Sequence, residues 1–264
     1  MRVNSRWLAV LLLLAVIPLS GCGFIQKLNA RNYLNKGVKA FNDQKHDAAA
    51  QFFQKSLEMD PEFEIARMYL ATAYMSQFVP DSSDPRSEQM ANKAIETFKQ
   101  IVADAKDPSH PNMNAMLSII NLYSKMKKIS EAKEWCDKVL AIDPSNSEAS
   151  YRVAVMEYNE VSDKTGLQAK NVSKMKEDEK AELQSRIDVG LEYIAKALAS
   201  RPDYADAMEY QNLLWREKAK LETNEAVKEE LILQADAAWL ESVKLRRKAQ
   251  EADAKKPKTL GKSS

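Results

Sequence analysis

The chain has 264 residues, 45% of them hydrophobic and six of them glycine, with 39 basic residues against 38 acidic ones for a formal net charge of +1. That length suffices for one large or two small globular units, and the near-neutral balance excludes a dedicated nucleic-acid binder, which needs excess positive charge to displace phosphate counterions. Abundant lysine, glutamate, alanine and leucine with so little glycine favour helix throughout over a turn-rich sheet protein.

At the N-terminus, Arg2 and Arg6 precede an uncharged apolar run from Trp7 to Ile17. The run is too short to span a bilayer and reads as the core of a secretory signal. The "LSGC" that follows, Leu19 to Cys22, resembles the lipobox of bacterial lipoproteins. That resemblance implies cleavage after residue 21, acyl chains on Cys22, and a lipidated linker over 22–29. Several acyl chains hold a protein on a membrane where one binds only marginally. Gly23 stands where an aspartate would signal inner-membrane retention, so the implied destination is the periplasmic face of the outer membrane. Removing residues 1–21 removes Arg2 and Arg6 and takes the formal charge from +1 to −1. Cys136 is then the one remaining thiol and has no intramolecular disulfide partner.

A turn recurs along the rest of the chain: "LEMDPEFEIA" at 57–66, "LAIDPSNSEA" at 140–149 and "LASRPDYADA" at 198–207. Before each proline comes a small, large, small stripe at spacings of four and three: Ala49, Phe53, Ser56; Ala132, Cys136, Val139; Gly190, Ile194, Ala197. Ala94, Phe98 and Ile101 repeat it ahead of Pro108. Such spacing places the three residues on one helix face, where small residues let a neighbouring helix approach and the large one fills the gap. Proline then stops the helix. The segment 30–61 reads as helix, polar turn, helix, and Tyr33, Gly37, Phe41, Ala49, Phe53 and Pro61 stand at the signature positions of a tetratricopeptide repeat, which the segment resembles. The resemblance continues through about residue 245 and implies an all-α, right-handed superhelical solenoid of about five hairpins occupying 30–248.

Two inserts interrupt the period, at 77–90 and at 161–180. The second, "VSDKTGLQAKNVSKMKEDEK", shows no apolar stripe, so removal of 163–178 is expected to leave stability almost unchanged. In the last hairpin Ala235, Trp239 and Ser242 keep the spacing without a closing proline, and the lysine-rich 249–264 reads as a disordered basic tail.

Catalytic constellations are missing from the pattern. His46 and His110 have no metal ligand at helical spacing and no evident nucleophile beside them, and Cys136 stands on an inward face. The reading is therefore a non-enzyme without cofactor or metal. By the family resemblance, the first helix of each hairpin lines a concave groove. This places Asn35, Val38, Phe41 and Asn42 there, then Met68, Tyr69, Thr72 and Met75, then Asn121 and Lys125, then Tyr151, Arg152 and Asn159, and last Met208, Gln211 and Trp215. Apolar anchors supply burial and amides pair with a main chain, so an extended peptide or partner helix fits such a surface. Leu34 and Val38 occupy the positions where carboxylate-clamping relatives carry lysine and asparagine. The functional expectation is a lipid-anchored scaffold for other envelope proteins, with no nucleic-acid or small-molecule partner. An assembly or pilotin-type factor and a substrate-capturing accessory of a cell-wall enzyme are the alternatives.

Overall fold

The computed structural model describes residues 18–254, and among these every regular element is helical. Ten α-helices follow in chain order: α1 (Pro18–Asn42), α2 (His46–Met59), α3 (Glu64–Met75), α4 (Pro85–Ala103), α5 (Met113–Lys125), α6 (Ile129–Ile142), α7 (Ser147–Thr165), α8 (Glu177–Ser200), α9 (Ala205–Leu221) and α10 (Glu225–Ala254). Two 3-10 turns, Leu167–Ala169 and Val172–Lys174, lie between α7 and α8. The chain divides into two compact units between Lys128 and Ile129. Residues 1–17 and 255–264, which carry most of the signal-peptide reading and of the tail, lie outside the described residues, as does the side chain of Cys22. No described helix is long and apolar enough to cross a membrane.

The recurring turn has one geometry throughout. Helices α2, α6 and α8 each stop two residues before their proline, and the next helix starts three residues after it. Proline occupies the second position of a hydrogen-bonded four-residue turn in every case, where its fixed φ is already suitable. The bonds are Phe63 N–H to Asp60 O (3.1 Å), Asn146 to Asp143 (3.0 Å) and Tyr204 to Arg201 (3.1 Å). Pro108 sits in the same turn, with His110 N–H donating to Asp107 O at 3.0 Å.

In the first unit α1 packs on α2, α2 on α3, α3 on α4 and α4 on α5. The small, large, small stripes make the contacts: Ala49, Phe53 and Ser56, and Ala94, Phe98 and Ile101, are all buried. Gly37 of α1 faces the Phe53 ring so closely that a Cβ there would lie 2.4 Å from Cε1. Ser56 Oγ donates to Ala30 O at 2.7 Å, fixing the point where α1 first enters the core. Before Ala30, residues 23–29 are helical and exposed, so the stretch expected as a linker is the leading end of α1.

The second unit packs α6 on α7, α7 on α8, α8 on α9 and α9 on α10. Ala132, Cys136 and Val139, and Ile194 and Ala197, are buried as the spacing requires. Glu157, itself buried, joins three helices: Lys133 Nζ of α6 lies 2.7 Å from Oε1 and Arg186 Nη1 of α8 lies 3.1 Å from Oε2.

Both inserts are shorter than expected. Helix α4 begins at Pro85, because Asp84 accepts from Arg86 N–H at 2.9 Å and proline suits the first helical position, so the loop is 76–84. Helix α7 runs on to Thr165 and α8 starts at Glu177. Val161 and Thr165 are fully buried one turn apart, and Thr165 Oγ1 donates to the buried Glu217 of α9 at 2.7 Å. The root of this insert is therefore a packed part of the array, contrary to the expectation that its removal is harmless. The tail also begins later, since α10 carries 249–254 as helix. Trp239, at the large position of the last stripe, is 51% exposed, and among the described residues no helix follows α10 to cover it.

Candidate functional site

The surface with the clearest capacity to hold a ligand lies on α3. Alanines Ala66, Ala71 and Ala73 face inward and bury completely, which leaves a second stripe, Ile65, Met68, Tyr69 and Thr72, on the other side of the same helix. Spacings of three, four and seven put these four side chains on one face. Ile65 is 56% exposed and Tyr69 36%, and they line an open cleft of about 320 Å³ with Met68, Thr72, Glu64 and Asn112. Tyr69 is held from below: its ring stacks on the buried Phe53 ring at 5.4 Å between centroids. The Thr72 hydroxyl donates to Met68 O at 2.9 Å and is so satisfied within the helix. At the polar end Asn112 Oδ1 accepts from Ala115 N–H, capping α5, while its amide donates to Glu64 Oε1 at 3.2 Å. The result is an apolar floor with a carboxylate and an amide at one end, a pattern that suits an apolar side chain carried on a polar main chain.

Of the expected groove residues, Met68, Tyr69 and Thr72 meet in this cleft. Met75 is half-buried a turn further along α3 and does not line it. On α1, Asn35 and Asn42 are exposed and Val38 is half-buried. Phe41 is committed to the hairpin turn by an edge contact with the His46 ring at 5.0 Å. On α5, Asn121 is half-buried and Lys125 exposed. Ile65, Glu64 and Asn112 were missed; Ile65 was findable, standing three and four residues before Met68 and Tyr69.

The second unit uses its aromatic residues differently. Tyr151 contacts Tyr204 at 5.0 Å and Tyr210 at 5.5 Å, and Tyr210 contacts Tyr158 at 5.4 Å. The Tyr204 hydroxyl donates to Glu148 Oε2 at 2.5 Å, and Glu148 also pairs with Arg152 at 2.7 Å. Burial raises the pKa of the Tyr151, Tyr204 and Tyr210 phenols above the ordinary value. This cluster joins α7 to α9, so Tyr151 and Arg152 serve packing, whereas Asn159 is exposed. Met208, Gln211 and Trp215 are half-buried on α9, with Lys218 Nζ 5.6 Å from the Trp215 ring centre. Tyr69 and Tyr151 belong to different units.

Two groups bear on catalysis. Contrary to the sequence reading, His110 does have a hydroxyl beside it: Nδ1 lies 2.9 Å from Ser109 Oγ and 2.8 Å from Asp107 Oδ2. Both neighbours meet the same ring nitrogen, and Ser109 also donates to Asp107 Oδ1 at 2.6 Å. Proton relay needs nucleophile and carboxylate on opposite ring nitrogens, so this is an exposed turn motif. The Ser109 hydroxyl and His110 hold the Asp107 carboxyl down at about 2. Cys136 is buried, and desolvation pushes its thiol up to about 12, away from the thiolate a nucleophile requires. Among the described residues no group of three or more His, Cys, Asp or Glu side chains is arranged to hold a metal ion.

The fold is an array of helical hairpins of the tetratricopeptide type. Residues 30–63 and 119–146 match the tetratricopeptide repeat. The fold is similar to the crystal structure of MamA protein, at a TM-score of 0.54 and 15% identity over 84% of this chain and 94% of that one. MamA from Desulfovibrio magneticus RS-1, residue 41 to its end, gives 0.53 and 12% over 83% and 96%. A comparison with curated proteins gave no match.

Proposed function

We propose that this protein is a lipid-anchored scaffold of the bacterial cell envelope that captures an extended segment or helix of another protein through the α3 cleft. The observation that carries the capture is the cleft-lining stripe Ile65, Met68, Tyr69 and Thr72, with Ile65 and Tyr69 exposed and Tyr69 braced on Phe53. An aromatic residue fixed before binding loses little side-chain freedom on contact, which is why such residues dominate many interfaces. The lipid anchor rests on the "LSGC" sequence, and the exposed Phe24, Ile25 and Leu28 just after Cys22 suit a position next to a bilayer surface. The outer membrane is the proposed destination.

A photo-crosslinker in place of Tyr69 in intact cells should trap a defined partner, and Ile65→Asp in the same chain should abolish the adduct. Tyr69→Ala should weaken capture of that partner about thirtyfold. Because both side chains are substantially exposed, the melting temperature should move only a few degrees. Capture at full strength by a folded Ile65→Asp, Tyr69→Ala protein would remove α3 as the site. For the anchor, Cys22→Ser should eliminate incorporation of a fatty-acid probe; labelling at the original level would overturn lipid attachment at this residue.

A further inference from the structure

We infer that α10 pairs antiparallel with α10 of a second copy of this chain. The outward face of the helix carries Glu229, Leu233, Leu240 and Lys244 at spacings of four, seven and four, which keeps all four within about 60° on the helix surface. All four are exposed, Leu233 by 64% and Leu240 by 49%, and Val243 and Trp239 extend the apolar surface to one side. The pattern inverts about its centre, the point between Asp236 and Ala237. There the leucines exchange with each other and the acid exchanges with the base.

Charge repeats the inversion on a larger scale. Residues 225–236 hold four acids against Lys228, net −3, and residues 237–248 hold four bases against Glu241, net +3. Two parallel copies would set like charge against like along the whole face. An antiparallel pair with a two-fold axis at the centre sets Glu229 against the other copy's Lys244 and Leu233 against its Leu240. The helix dipoles also oppose favourably in that arrangement. Such a contact is isologous, each copy offering the same surface, and it closes at two copies. Beside the seam Trp239 and Leu240 wall a cleft of about 490 Å³ with Asn212, Arg216 and Asp236, room for a side chain from the facing helix. The pairing needs neither the α3 cleft nor the anchor.

Sedimentation of the full chain in detergent, over about 1 to 100 µM, should show a concentration-dependent dimer. Glu229→Lys places lysine opposite Lys244 twice in the pair and should weaken it about tenfold or more. Adding Lys244→Glu restores opposite charges in the reversed sense and should return the affinity to within about threefold of the original. Leu240→Asp should leave the helical signal unchanged, since the side chain is exposed, while abolishing the dimer. A monomer at every concentration overturns the pairing, as does a dimer that Leu240→Asp leaves intact. A double charge swap as weak as the single one overturns the antiparallel register.

Discussion

Gly37→Ala should lower the melting temperature of the first unit by about 5 to 10 °C, although alanine is the better helix former. In an unconstrained helix interior the exchange is worth roughly 1 kcal/mol in alanine's favour. Here the added Cβ would stand 2.4 and 2.6 Å from Phe53 Cε1 and Cδ1. That ring is fully buried and stacks on Tyr69, so moving it disturbs that contact as well. Overpacking of this kind costs about 1 to 3 kcal/mol, and the upper part of that range applies where the obstructing atoms are a locked ring. The clash therefore outweighs the propensity by about 2 kcal/mol. Gly190→Ala supplies the contrast: its Cβ would meet the two Leu214 methyls at 3.0 Å, ends of a side chain that can give, and gain and cost should nearly cancel. Thermal unfolding followed by circular dichroism measures both, and an equal fall for the two variants would refute the Phe53 clash. Because Tyr69 rides on Phe53, Gly37→Ala should also weaken capture at α3.

Deleting residues 163–178 across a glycine-serine bridge should cost the second unit about 3 kcal/mol, a fall of roughly 10 °C. The deletion removes Thr165, which is fully buried and donates to Glu217, leaving that buried carboxylate with only Lys220, at 2.6 Å. It also removes Met175, which packs against the core of this unit, and the last turn of α7. Deleting 168–174 instead spares those contacts. What goes is the Asn171 cap on α7, whose amide donates to Lys164 O at 3.0 Å and whose N–H donates to Thr165 O at 3.2 Å. A lost cap of this kind is worth about 1 kcal/mol. If the two deletions unfold at the same temperature, Thr165 is not the anchor of the insert.

These cases mark what a sequence exposes to inspection. The Ala49, Phe53, Ser56 stripe and its copies are legible because apolar and small residues at helical spacing have one economical explanation, burial against the next helix, and proline marks the stop. Thr165 was illegible because its burial depends on a carboxylate 52 residues away in sequence, Glu217, so a packed helix end reads as polar loop. Trp239 shows the opposite limit: it keeps the inward-facing spacing, but a stripe states only that a neighbour fits, and no described helix covers it. In the candidate site the family positions led to Met68, Tyr69 and Thr72 but passed over Ile65, although its exposure is the greatest of the four. Tyr151 and Tyr69 look alike in sequence. Two tyrosines packed against the former and a single ring beneath the latter separate a packing residue from a presented one.

The unbroken course of α1 bears on where capture takes place. From residue 22 to Ala30 the backbone is helical, a rise of about 12 Å, where eight extended residues would reach about 27 Å and sweep a wide volume. If residue 22 is the point of attachment, the first hairpin stands on a stiff post instead of swinging on a leash. A scaffold mounted this way searches a thin layer above its membrane, and the partners it meets are those whose own binding segments pass through that layer. Inserting a flexible stretch after Asn29 would widen the layer and dilute the encounter without altering a single contact in the cleft.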